Sequence, residues 1–435
     1  MAIYTFGIVI VNQLLPNKMK KFTLFCLSVF LILSSSAQKL AWETSTFFNN
    51  QIFPAYSWAV SYLGTEDVTN ETGNFFGDQN GQVGVIIGAL KKGQLVKVEI
   101  EANEIMDKSL VEFNMLENAE NFFAYPQILY KWTVLENWKQ PKPVNVKINV
   151  YVNNQLDRTE QKRIIVRGIN ECPYVVTTKH GVMVDLNYVY LSYVNENHPI
   201  ITETIIPEMM KEGIIKQIDG YQGISEGNYD AVYKQVYAVW HYFNKNKFNY
   251  NSLNSYYKGN VSDVPMVQAQ FVRTFSEVYK SKQANCVDGT ILMASILTRM
   301  GISAYLVTTP NHCYLGFSLD GSSGNMSFIE TTLLGSDVKD LDADSRKIIQ
   351  DTKLTNSDTY YRLTSVGKST YDNFIWALLS GYNNYKKDAE KFRSDDAESV
   401  FQVTPDNAQA KFLEINYRLL SVKHYREAGL LPINQ

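Results

Sequence analysis

A chain of 435 residues with 45% hydrophobic and 13% aromatic content is large enough for two or three domains, and its 28 tyrosines argue against long disordered stretches. The formal net charge is −3, with charges spread along the chain and no basic block to neutralise phosphates, which excludes nucleic acid as an expected partner. The acidic excess is too small to say anything about substrate.

Lys20 and Lys21 precede an almost wholly apolar run from Phe22 to Leu33, and Ser34-Ser35-Ser36-Ala37 then precede Gln38. Basic residues, an apolar run and small residues in that order mark a cleaved export signal. The run is well short of the roughly 20 residues that span a bilayer, so no stable membrane insertion is expected after cleavage. Residues 1–37 are therefore read as a signal with an upstream extension, Met19 as the expected start, and Cys26 as part of the signal. The protein is expected to be exported to the periplasm, the cell surface or the medium. Cys172, Cys286 and Cys313 remain, too few for a disulfide scaffold, and a Cys172–Cys313 bridge stays an open possibility.

Residues 38–175 read as β structure. Val96, Val98, Ile100 and Ala102 alternate with Lys97, Glu99 and Glu101, and Val144 to Val152 repeats the pattern, as strands with one buried and one wet face do. Asn153-Asn154 mark a turn before a second strand near Arg163 to Arg167. An antiparallel β-sandwich domain is the expectation.

Residues 176–335 change character. Val232, Val236, Val239, Trp240 and Phe243 fall on one face of a helix that Asn228 or Asp230 could cap. A further helix is expected over Val267–Tyr279. The run from Cys286 to Met300 is apolar nearly all round, which predicts a helix buried at the centre of its domain, ended by Gly301. Three strands are expected next, over Ser303–Thr309, Cys313–Leu319 and Met326–Thr332, with Asp320-Gly321 opening the last turn. Residues 336–435 read as a helical C-terminal extension. One helix is expected over Tyr371–Phe392, and another runs from Thr404-Pro405 to Gly429.

Cys286 opens the buried helix, where free amide groups carry roughly half a positive charge and favour a thiolate. His312 and Glu330 follow in the order expected of a base and the carboxylate that orients it. Cys286 is thus the candidate nucleophile, His312 the general base and then acid, and Glu330 the orienting group. The Cys286 amide is a candidate oxyanion donor, with Gln283 as a second. Each residue alone has a bland structural explanation; their order on a helix–strand–strand pattern carries the catalytic one. Zinc bound by Cys286, His312 and Cys313 lacks a second spaced ligand pair, so neither metal nor cofactor is expected.

The segment resembles the transglutaminase-like branch of the papain-like cysteine enzymes over about Val267–Leu334. Asn285-Cys286-Val287-Asp288 resembles the nucleophile segment, Arg299-Met300-Gly301-Ile302 the helix end, Asn311-His312 the histidine, and Ile329-Glu330-Thr331-Thr332 the acidic segment. The ending from His424 to Ile433 is similar to the tail of some bacterial members. Glu330 stands where the family usually has Asp, and Cys313 where a small residue is common. The fold class expected is α+β, an N-terminal sandwich followed by a transglutaminase-like core with a helical tail. The resemblance implies attack on amide bonds of a peptide or protein substrate through a thioester, with hydrolysis favoured over crosslinking because water is abundant. The alternative is a protein of the same fold that binds or assembles without turnover. Oligomeric state is not legible.

Overall fold

The computed structural model describes residues 40–62, 74–252, 256–258, 265–352, 355–395 and 398–433. The expected signal lies outside the described residues. The chain forms a mixed α+β structure with several sheets and a long C-terminal helix. Among the described residues no helix is long and apolar enough to cross a membrane.

The N-terminal part is built from two sheets that share one apolar core. One contains Trp42–Thr46, Val83–Leu90, Ala119–Tyr125 and Phe75–Gly77; the other contains Gln51–Ile52, Gln155–Val166, Lys142–Val152, Leu95–Ala102 and Met106–Asn114. The inward residues Val96, Val98, Ile100, Val144, Val146, Ile148 and Val150 meet Val85, Ile87 and Phe122 from the opposite sheet. Asn153 and Asn154 turn the hairpin with φ of 49° and 65°, the left-handed region that tight two-residue turns need. The strand after them begins at Gln155, earlier than expected, because its first half is polar and hides its alternation. Two short edge strands, Gln51–Ile52 and Phe75–Gly77, pair in parallel, so the two sheets are not purely antiparallel.

The boundary expected at 175 falls inside the strand Glu171–Thr177, which pairs with Met266–Phe271 in a different five-stranded sheet. Phe47, Phe48, Phe53 and the helix Pro54–Val60 also pack into the larger core of the second half. Within Val267–Tyr279 the first part is strand Met266–Phe271 and only Phe275–Ser281 is helix. Val267, Ala269 and Phe271 alternate with Gln268 and Gln270 as strand residues do, and a capping box between Thr274 and Glu277 starts the helix late.

The helix Cys286–Arg299 packs on a four-stranded sheet ordered Met326–Ile329, His312–Ser318, Ala304–Thr309, Arg418–Ser421. Gly301 ends it with φ of 77°. The expected helix from Pro405 to Gly429 is instead a helix Ala408–Ile415, the strand Arg418–Ser421 and a helix Val422–Glu427. Tertiary contact overrides the helical pattern there: Arg418 is buried with its Nη1 2.6 Å from Asp185 Oδ2. Val400–Gln402 likewise joins the other sheet beside Val182–Asp185. The last hundred residues are therefore strands and helices woven into the second half. Their long helix, Ser357–Asp388, breaks at Gly367 and lies against the strand Met326–Ile329.

Candidate functional site

The start of the helix Cys286–Arg299 is held by a reciprocal cap. Asn285 Oδ1 accepts from the Asp288 amide at 2.8 Å, and Asp288 Oδ2 accepts from the Asn285 amide at 3.2 Å. Asp288 is fully buried, and Arg273 supplies its counter-charge through Nη1 at 2.7 Å and its backbone amide at 2.9 Å. The Cys286 carbonyl accepts from Thr290 Oγ1 at 2.7 Å and from Thr331 Oγ1 at 3.3 Å. Cys286 thus sits on a rigid first turn, where its own amide has no acceptor within the helix.

His312 opens the strand His312–Ser318 directly after a two-residue turn at Pro310-Asn311, with Thr309 opposite it. The neighbouring strand pairs Leu315 with Ile329 in antiparallel register. Continuing that register puts Glu330 opposite Tyr314, on the face that His312 also occupies. Glu330 Oε2 accepts from His312 Nε2 at 2.7 Å. Cys286 lines the same pocket as His312 and acts on the imidazole in the direction of its charged form. The structure therefore brings Cys286 and His312 to one pocket and pairs His312 with Glu330.

Burial of the imidazole opposes its protonation, but its interactions with Cys286 and Glu330 outweigh burial and push His312 up to about 10. Burial acts on Glu330 too, in the direction of a neutral acid. The His312 hydrogen bond and charge, with donors from Thr332, win and hold its carboxyl below the usual range. Histidine and glutamate form an ion pair at neutral pH. Burial pushes the Cys313 thiol up, and Cys172, Cys286 and Cys313 are all unbridged.

A pocket of about 60 Å³ opens beside Cys286, which is 7% exposed. Its walls include Cys286, His312, Tyr190, Asn187, Gln270 and Asn416. Gln283 does not line it: this side chain is exposed, and its Oε1 accepts from Asn251 Nδ2 at 2.6 Å. Gln270 does, and it was missed by sequence reasoning. Its Oε1 accepts from Tyr190 at 3.2 Å while its Nε2 is buried without a partner. A buried amide donor left unpaired beside a candidate nucleophile calls for a chemical explanation. Its signal was the alternation of Gln268 and Gln270 with Val267, Ala269 and Phe271, obscured by reading that run as a helix.

Asn384 was also missed. Its Nδ2 donates to Glu330 Oε2 at 2.9 Å from the helix Ser357–Asp388. Tyr250, from a strand beside Gln283-Ala284, lies near enough that the charges of Cys286 and Glu330 add to burial in pushing its hydroxyl up. Of the other histidines, His241 is buried with Nδ1 2.8 Å from Thr370 Oγ1, and His198 Nε2 is 2.8 Å from Ser276 Oγ. Both serve packing.

No family model matches the chain, and no curated protein matches it. The site stands on its geometry.

Proposed function

We propose that this chain is an exported cysteine-dependent enzyme with a transglutaminase-like core, acting on amide bonds of peptides or proteins through a thioester. The observation that carries the reading is that His312, bonded to Glu330 at 2.7 Å, lines one pocket with the Cys286 thiol. The buried helix that presents Cys286, followed by antiparallel strands that present His312 and Glu330, supports the same reading.

The chemistry follows from the geometry. The Cys286 sulfur attacks an amide carbonyl carbon, an S–C bond forms, and the carbonyl π electrons move to oxygen. The Cys286 amide and Gln270 Nε2 receive that oxyanion, which explains the unpaired donor. As the C–N bond breaks, the imidazolium gives its proton to the leaving nitrogen. Water then adds to the thioester, His312 takes its proton, and the thiolate leaves. Glu330 stays ionised throughout and holds the ring in place.

Replacing Cys286 by Ala is expected to abolish cleavage of peptide amides while leaving the unfolding curve in place; unchanged turnover would end the proposal. The observation that favours the second reading, a protein that binds without turnover, is the narrowness of the pocket and the 7% exposure of Cys286. Under that reading Cys286 behaves as an ordinary buried thiol whether or not His312 is present.

A further inference from the structure

Glu330 has a longer side chain than aspartate, with one more rotatable bond between backbone and carboxylate. A longer arm holds an imidazole well only if something fixes its end. Oε1 accepts from the Thr332 amide at 3.0 Å and the Thr332 hydroxyl at 2.7 Å. Oε2 accepts from His312 at 2.7 Å and from Asn384 at 2.9 Å. A carboxylate has about four acceptor positions, and here all four are taken.

Three of those donors come from the same local hairpin; the fourth arrives from a helix 54 residues further along the chain. That helix is drawn unusually close. The Glu330 amide donates to the Ala377 carbonyl at 2.9 Å. A Cβ on Gly381 would stand 2.7 Å from Ile329 N and from the Phe328 carbonyl carbon, closer than side chains tolerate. A bare glycine surface therefore lets the helix seat one turn below Asn384, and Asn384 reaches Oε2 from there.

We infer that Asn384 is a positioning residue for the Glu330–His312 pair, and that the helix Ser357–Asp388 is a working part of the site. The inference rests on the reading of Cys286 and His312 as the reacting pair. Its amide fills the one direction from which Oε2 could swing away from the imidazole. It also donates to the charged form of Glu330, which favours ionisation. The titratable groups facing Glu330 from the packed elements are His312, Cys313 and Tyr314 on the adjacent strand, Cys286 on the buried helix, and Tyr250. Among these His312 is the cation, so a change at Asn384 reads directly on that pair.

The test follows the Glu330 carboxyl by ¹³C NMR against pH in the full chain, in wild type, Asn384→Ala and Asn384→Asp. Loss of the donor is expected to raise the Glu330 midpoint, and a second carboxylate 2.9 Å away is expected to raise it further, by about one pH unit or more. The acid limb of Cys286 alkylation should move upward in the same order, at unchanged unfolding midpoint. Wild-type Glu330 midpoints in both variants would overturn the inference. Should wild-type Cys286 prove unreactive, the enzyme reading fails, yet the Glu330 midpoints still decide the role of Asn384.

Discussion

His312 opens one strand and Glu330 directly follows the end of its neighbour, Met326–Ile329, and their Nε2 and Oε2 atoms are 2.7 Å apart. The pair is half-buried, and each partner shifts the other toward its charged form. Ionisation of one group is therefore linked to that of the other, and both to stability.

The signs are opposite for the two groups. His312 is raised when folded, so its contribution is fully present below its unfolded value of about 6.5 and is lost as pH rises through about 10. Glu330 is lowered when folded, so its contribution is present above its unfolded value of about 4.3 and is lost as pH falls through the folded one. Urea unfolding should show the pair's stabilisation greatest between these unfolded values, with a decline toward alkaline pH. In Glu330→Gln that alkaline decline should shrink, and the His312 ring should titrate nearer its ordinary value by NMR. An unchanged His312 titration would contradict the pairing.

Gly381→Ala tests the seat of the long helix. In an exposed helix this change stabilises by about 1 kcal/mol. Here the added methyl meets the backbone of Phe328 and Ile329, and overpacking of that kind costs about 1–3 kcal/mol. The backbone contact is expected to win, giving a lower urea midpoint together with slower Cys286 alkylation. A stabilised variant would mean the strand yields freely.

Arg273→Ala tests the helix start. It leaves Asp288 buried without its counter-ion, and breaking a buried pair costs about 3 kcal/mol or more. Burial already pushes the Asp288 carboxyl up, so protonation limits the loss and makes it larger at high pH than at low. Urea titrations at two pH values check both the size and the direction.

Gln270→Ala tests the unpaired amide. Loss of one oxyanion donor lowers kcat by about 10²–10³ with little change in KM. A kinetic comparison on any peptide amide that wild type cleaves is sufficient. A rise in KM at unchanged kcat would assign Gln270 to substrate binding instead.

Much of this architecture was readable where residues repeat. Val96-Val98-Ile100 and Val144 to Val150 alternate because one face of each strand is buried, and the apolar run after Cys286 reads as a central helix because every side of it is covered. The order Cys286, His312, Glu330 was visible because all three fall in one short stretch of helix and strands that follow each other along the chain. Gln270 was hidden because the short alternation of Val267, Ala269 and Phe271 with Gln268 and Gln270 fell inside an expected helix, and alternation does not reveal that the glutamine face is buried as well. Arg418–Ser421 looked helical because what makes it a strand is pairing with the distant strand Ala304–Thr309, with Arg418 anchored on Asp185, 233 residues away in the chain. Asn384 carried no signal at all: in a polar stretch, Tyr382-Asn383-Asn384-Tyr385, nothing distinguishes the asparagine that meets Glu330 from the one beside it.

The most direct measurement is the rate of Cys286 alkylation by iodoacetamide at about pH 6 to 7, read by peptide mass spectrometry, in wild type and His312→Ala. Around that pH an unassisted thiol is only a few per cent thiolate or less. An imidazolium beside the sulfur is expected to make wild-type labelling faster by about tenfold or more. Equal slow rates in the two proteins would contradict an activated Cys286–His312 pair and, with it, the enzymatic reading.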